Sequence, residues 1–438
     1  MSFEIDPRNA PIRVIELELG DPPARLADPG SRLAPQPVTG HVMALVRVHG
    51  RPVGLVGAHV PDSGAALDTL TAAAYRELAA EIDAAAPRDP DPPDLDAAAP
   101  PLISVVIATR ERPEVLARAL GSAVALDYPR FEVIVVDNDP VTDATETMVR
   151  ERFAGKVDYV REPMRGLASA HNRGTAVARG EIIAFTDDDV LIDPGWLTAI
   201  AAAFASAPDV ACVTGLIVPA ELRTRTQALL EWHAKPTKGF TRRVANLGRA
   251  GVDELFPYTA GDLGAGANMA FTAALLREIG GFDPAMGVGT ATLGGDDLMA
   301  FFLAIAAGHT LVYQPEALIW HHHHTEERAL LAQARGHSVG LGAFLTGVAL
   351  HHPRMLPLLT RRLPRAAAHA VHRLRSRAPS TAGPHTPVTL PPEVAAAERR
   401  ALLHGPLAYL QASRTVRRSR AATGRPAVAA RTAPGVER

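Results

Sequence analysis

Cysteine is almost missing: Cys212 stands alone in 438 residues. No intramolecular disulfide can form, and a thiolate cage for a metal is excluded. Long apolar runs are missing too. The longest late one, Ser338 to Leu350, has 13 residues against the roughly 20 that span a bilayer, so it reads as a core helix. The first residues, MSFEIDPRNAP, lack a charged start followed by an apolar core and do not read as a secretion signal. A cytoplasmic protein is expected, with peripheral contact at the inner membrane face. No glycine-rich loop follows the first central strand, where the sequence is ATRERPE. That argues against a nucleotidyltransferase and against a dinucleotide oxidoreductase, whose pyrophosphate needs such a loop. The nearest match, Gly340 to Gly347, comes late and follows no strand. No internal repeat is visible.

Net charge is also small, with 45 basic and 47 acidic residues, but it is unevenly spread. Residues 1–100 hold 8 basic and 15 acidic residues, whereas 361–438 hold 15 arginines and 3 glutamates. A basic tail of this kind suits an anionic surface such as phospholipid head groups; a solvated arginine-rich tail is the plain alternative. No nucleic-acid partner is expected.

Five segments are expected along the chain. Residues 1–86 form a small separate β-rich module, with strands in PIRVIELEL, HVMALVRV and VGLVGAHV, a turn over His49 to Pro52, and a helix from Leu67 to Ala86. Residues 87–101 are a proline- and aspartate-rich linker. Residues 102–325 alternate continuous apolar strands (Leu102 to Thr109, Phe131 to Asp139, KVDYVRE, GEIIAFTDDD) with helical stretches. That pattern predicts an α/β fold with a mainly parallel sheet covered by helices on both faces. Residues 326–376 read as a helical extension. Residues 377–438 read as a proline-rich break and a basic, partly disordered tail.

Ligands of such sheets bind beyond the carboxyl ends of the strands. Polar residues gather there: Thr109, Arg110 and Arg112; Asp137 and Asp139; Asp187 to Asp189. If the strand continues through the aspartates, Asp187 and Asp189 share a side and Asp188 is a spacer facing away. Two hard oxygen donors suit Mg²⁺ or Mn²⁺. A helix cap is the structural alternative, and Asp193 fills that role better.

The ordered set SVVIATRERPEVLARAL, FEVIVVDND, RGLASAHNRGTAVARGEIIAFTDDDV, GANMAF, GGFD and GGDDLMAFFLAIAAGHTLVYQPEALIWHHHH resembles the family 2 glycosyltransferases. The resemblance covers about half the chain. It implies the A-type (GT-A) Rossmann-like fold and inverting transfer of a sugar from a nucleotide-diphosphate donor to a glycan or lipid-linked acceptor. TDDD then stands as the DxD motif, with Asp187 toward ribose or phosphate and Asp189 on a divalent metal (Mn²⁺ or Mg²⁺). Asp137 matches the carboxylate that reads the nucleobase, Thr109 and Arg112 the loop around the nucleotide, and Arg165 and Asn172 a segment near the donor phosphates. His171 stands where arginine is frequent. GGDDL resembles G-G-E-D-L, which makes Asp297 the catalytic base and Asp296 an acceptor-side residue in place of glutamate. Asn268 is expected to face acceptor or donor, or to cap the next helix. His321 or His323 of the internal HHHH run completes the metal site. The alternative activity class is a degenerate scaffold that binds without catalysis; it predicts loss of the DxD or the base, and both are present.

Overall fold

The computed structural model describes residues 5–20, 24–31, 35–85, 100–248, 255–357 and 392–423. The linker expected at 87–101 and the proline-rich break at 377–392 fall almost wholly outside the described residues. In the N-terminal unit, β1 (Ile12–Leu19), β2 (Arg25–Ala27), β3 (Gly40–Val48) and β4 (Arg51–Val60) form a sheet ordered β2-β1-β3-β4. The β3–β4 hairpin needs only His49 and Gly50 for its turn, at φ of 51° and 77°. Positive φ at both central residues matches the twist of the flanking strands. The helix expected from Leu67 is two pieces, α1 (Ala66–Glu77) and α2 (Ala79–Ala85), parted at Leu78. A Cβ on Gly54 would come within 2.5 Å of the Leu78 side chain, so the glycine makes room for it.

This sheet is apolar on both faces. Ile15 and Leu17 pack under α1, while Val14, Met43 and Leu45 share a core with Leu216, Val218, Leu318 and Trp320. Both of those core-sharing segments belong to strands of the second unit. The module that reads as separate is therefore seated on its neighbour. Arg47 seals the seam: its Nη1 donates to Glu16 Oε2 at 2.9 Å and to Asp193 Oδ2 at 2.8 Å, all three side chains being buried.

The second unit follows as β5 (Ile103–Thr109), α3 (Pro113–Ala123), β6 (Phe131–Asn138), α4 (Ala144–Arg152), β7 (Asp158–Glu162), α5 (Leu167–Val177), β8 (Ile182–Thr186), β9 (Val190–Ile192), α6 (Trp196–Ala205), β10 (Val210–Pro219), α7 (Arg225–Ala234), β11 (Arg243–Ala245), β12 (Asn268–Thr272), α8 (Ala273–Ile279), α9 (Asp296–Ala306) and β13 (Thr310–His321). Its sheet runs β11-β13-β10-β12-β8-β5-β6-β7, with β9 pairing β13. Strands β8, β5, β6 and β7 are mutually parallel, as the apolar runs predict. Between them and the parallel pair β10–β13 lies β12, antiparallel to both neighbours. Successive side chains on a strand face opposite ways, and β5 shows the result. Ile103, Val105 and Ile107 join Leu116 and Leu120 of α3 on one face, while Val106 joins Ala168 and Ala170 of α5 on the other. Helices thus cover both faces.

Among the described residues two long helices follow, α10 (Glu327–His351) and α11 (Pro392–Thr423), and they pack together. The tail is therefore helical and docked over this stretch, where the sequence reads as partly disordered. Gly342 and Gly405 set the crossing: a Cβ on Gly405 would lie 2.5 Å from the Gly342 backbone. Among the described residues, no helix is long and apolar enough to cross a membrane.

Candidate active site

Strand β8 stops at Thr186, so Asp187, Asp188 and Asp189 lie in the turn that leads into β9. Strand alternation therefore does not govern them, yet Asp187 and Asp189 still converge. One ligand atom from each, with one from His321 at the end of β13, lie within 4.8 Å of one another. The pairing of β9 with β13 brings this about, since Val190 sits opposite His321 and His322 N donates to Asp189 O at 2.9 Å. His323, the other histidine considered, is instead buried on Glu231 at 2.6 Å.

Asp188 is not a spacer. It is buried, accepts from Thr109 Oγ1 at 2.6 Å, and pairs with Arg112 Nη2. Arg112 Nη1 reaches Asp189 Oδ2 at 3.2 Å. Thr109 and Arg112, expected on the nucleotide, both contact the aspartate turn in this structure. At the neighbouring strand ends Arg110 pairs with Asp139 at 3.1 Å.

Three carboxylates in a row cannot all carry full charge cheaply. Burial, then Asp189, pushes Asp187 up to about 7. Burial pushes Asp188 up to about 6 against the pull of Arg112. Burial also works against ionisation of Asp189, but close contact with His321 and the charge of Arg112 outweigh it and hold Asp189 well below the usual range. The same contact raises His321 despite its burial. Asp189 Oδ1 is buried, lies 3.3 Å from His321 Nε2, and is out of hydrogen-bonding alignment with it. Two carboxylates and an imidazole around an unspent oxygen are a donor set that fits a divalent cation, Mn²⁺ better than Mg²⁺.

Asp137, at the carboxyl end of β6, is buried with Oδ2 accepting from Tyr159 at 2.7 Å and Oδ1 without a hydrogen bond. Burial raises it, offset in part by Tyr159. Arg165 is exposed beside Gly289 and pairs with no carboxylate among the described residues. Asn172 departs from expectation: its amide donates to Phe282 O at 2.7 Å and accepts from Phe282 N at 2.8 Å. Both functions of the side chain thus fix the GGFD loop.

Asn268 departs as well. It caps no helix, a task Thr272 performs, and it faces no ligand. Its Nδ2 donates to Leu216 O at 2.9 Å and Ala317 O at 2.8 Å, and its Oδ1 accepts from Trp196 Nε1 at 2.9 Å. It fills the irregularity where β10 and β13 lose register after Gly215.

Asp296 and Asp297 open α9. Asp297 Oδ2 accepts from Gly266 N at 2.9 Å and Oδ1 from Leu298 N at 2.8 Å. The residue after Gly266 accepts from Thr186 Oγ1 at 2.8 Å. One loop therefore ties Asp297 to the strand end that carries Asp187. Asp296 is buried and pushed up to about 7, first by burial, then by Asp297. His171 Nδ1 lies 3.7 Å from Asp296 Oδ2 without a hydrogen bond, between the rings of Phe185 and Phe282. Burial holds His171 down to about 3, which favours the neutral imidazole.

The sequence matches the family model of Glycosyl transferase family 2 over residues 104–259, and that of Glycosyl transferase family group 2 over residues 182–410. The second match alone exceeds half of the 438 residues. The chain is a member of glycosyltransferase family 2. Its match continues through α10 into α11, beyond the boundary expected at 325. The family member is 25% identical over 190 residues to the glucosyl-dolichyl phosphate glucuronosyltransferase of Haloferax volcanii, covering 41% of this chain and 56% of that one. It is 27% identical over 255 residues to the pre-mycofactocin glycosyltransferase of Mycobacterium tuberculosis, covering 57% and 48%. The chain thus spans about half the length of these curated relatives. A mannosyltransferase of Pyrobaculum calidifontis, solved with GDP-Man and Mn²⁺, superposes with a TM-score of 0.42 at 22% identity, covering 78% of this chain and 80% of that one.

Proposed function

We propose that the protein transfers a sugar, with inversion, from a nucleotide-diphosphate donor to a hydroxyl of a glycan or lipid-linked acceptor. The observation that carries this reading is the Gly266–Ala267 bridge. It puts the carboxylate pair Asp296–Asp297 beside the Asp187–Asp189–His321 group at the strand ends. In the transfer, Asp297 takes the acceptor hydroxyl proton. The acceptor oxygen bonds to the anomeric carbon, whose bond to the diphosphate oxygen breaks, and the electron pair leaves on the nucleoside diphosphate. Each Asp297 oxygen accepts one backbone N–H, which orients the carboxylate and leaves a lone pair for the proton. Asp187, Asp189 and His321 would hold a divalent ion that neutralises the departing diphosphate. Asp137 Oδ1 is an acceptor for a nucleobase N–H, and Arg165 a cation for phosphate. The name of the haloarchaeal relative motivates a lipid-linked acceptor, and the basic C-terminal region an anionic membrane as its setting.

The test is donor binding and transfer by the purified chain across a panel of nucleotide sugars, with and without Mn²⁺. Asp297→Asn is expected to lower transfer by about 10²–10⁴-fold while donor binding persists. Asp189→Ala is expected to abolish the Mn²⁺-dependent part of donor binding. Full transfer by either variant would refute the reading.

A further inference from the structure

The outer face of α11 carries a feature that the proposed transfer does not use. Helical side chains recur every 100°, so Leu403, Leu407 and Leu410 fall on one stripe. Their side chains are 80%, 63% and 41% exposed. The opposite side of α11 is fully engaged. Val394, Ala401, Gly405, Ala408, Tyr409 and Ala412 are buried, Gly405 lies against Gly342, and Tyr409 Oη donates to Asp283 Oδ2 at 2.7 Å. The helix therefore cannot rotate to hide its leucines without losing this seam.

Charge frames the stripe at both ends. Arg399 and Arg400 precede it, and Arg414, Arg417 and Arg418 follow it, all exposed and all within about 60° of the leucines by helical spacing. From 399 to 423 the sequence contains no aspartate or glutamate. An apolar centre with cations at each end suits one setting above others. Leucines enter the boundary between acyl chains and head groups, while arginines reach lipid phosphates.

The placement is also informative. Helix α10, on which α11 rests, touches the turn before the catalytic candidates: a Cβ on Gly295 would lie 2.6 Å from Gly340 O. Ala291 of that turn packs with Val339 of α10 and with Ala401 and Ala408 of α11. The turn that leads to Asp296 and Asp297 thus packs against both helices.

We propose that the Leu403–Leu407–Leu410 face of α11, with its flanking arginines, docks the protein on an anionic lipid surface. This deepens the proposed function, on which its biological sense rests, by bringing the acceptor side next to the bilayer where a lipid-linked acceptor resides. A span is not required; the helix lies in the interface plane.

The test is sedimentation of the full chain with vesicles of phosphatidylcholine alone or mixed with phosphatidylglycerol, at low and physiological salt. Binding to the mixed vesicles, weakened by salt, is expected. The triple variant Leu403→Ser/Leu407→Ser/Leu410→Ser should bind at least roughly tenfold more weakly. Arg414→Gln/Arg417→Gln should lose roughly fivefold per arginine on mixed vesicles only. Because these side chains are exposed, both variants should keep the wild-type unfolding midpoint and donor hydrolysis in solution. Equal binding by the leucine variant would overturn the proposal, and so would equal wild-type binding to both vesicle types. A concentration-dependent dimer that the leucine variant abolishes, without vesicle binding, would overturn it in favour of a second copy as the occupant. Vesicle binding is read without sugar transfer, so failure here is separable from failure of the transferase reading.

Discussion

Replacing Arg47 with methionine removes a cation that two carboxylates share at the seam between the two sheets. Arg47 Nη1 serves both Glu16 at 2.9 Å and Asp193 at 2.8 Å, with side-chain exposures of 13%, 10% and 7% for the three residues. Glu16 comes from the N-terminal sheet, while Asp193 follows β9, the strand that leaves the aspartate turn. Losing one partner of a buried pair leaves an uncompensated charge and costs about 3–5 kcal/mol. The loss depends on pH, and its sign follows from Glu16. Burial already pushes Glu16 up to about 7 in the native protein, ahead of the opposing pull of Arg47. A carboxyl whose folded pKa is raised contributes stability that is present below its unfolded value and lost as pH rises through the folded value. Without Arg47 the folded value climbs further. The penalty should therefore widen above about pH 7, at up to about 1.4 kcal/mol per pH unit.

Urea unfolding at about pH 6 and about pH 8, followed by tryptophan fluorescence, measures this. Trp320 is a suitable reporter because it is buried in the core shared by the two sheets. Adding Glu16→Gln to Arg47→Met should restore part of the loss and flatten its pH dependence. Adding Asp193→Asn as well should restore most of it, since no charge then remains buried and the amide oxygen can still accept from Gly195 N. A loss below about 1 kcal/mol for Arg47→Met, or one indifferent to Glu16→Gln, would refute the reasoning. The functional corollary is that Arg47→Met disturbs donor binding from outside the site, because the strand after Asp189 ends at the residue before Asp193.

Three further outcomes follow, two of them at buried positions. His171 is held down to about 3 by burial, so below about pH 6.5 the unfolded chain takes up a proton that the folded chain refuses. Stability should fall on acidification by about 1.4 kcal/mol per unit from this residue alone, and His171→Leu should remove that slope in acid unfolding curves; identical slopes would contradict it. Gly215→Ala would place a Cβ 2.0 Å from Ala317 O and 2.4 Å from Asn268 Nδ2, atoms that cannot move without breaking the sheet irregularity. A loss of about 3 kcal/mol or more in thermal or urea unfolding is expected. Gly121→Ala in α3, where a Cβ meets nothing within 4 Å, should be neutral or stabilising by up to about 1 kcal/mol.

The parallel strands were legible because continuous apolar runs such as Val105 to Ala108 have no other stable home than a doubly covered sheet. Strand β12 was not, since NMAFT is short, wholly buried except at its end, and shows neither alternation nor turn signals. Helix α11 was hidden by its arginines, which read as a solvated tail until the alanines and Gly405 of its other face meet α10. At the site, residue type located the right neighbourhood but not each side chain's occupation. Asp188, Asn172 and Asn268 are polar residues in the expected segments, yet all three are consumed by the protein's own groups. A sequence records donors and acceptors, whereas function depends on which of them remain unspent after folding. Asp137 Oδ1 and Asp189 Oδ1 are by contrast buried and without a hydrogen bond. Asn172 and Asn268 belong to the scaffold: substituting them should cost stability before it costs donor affinity.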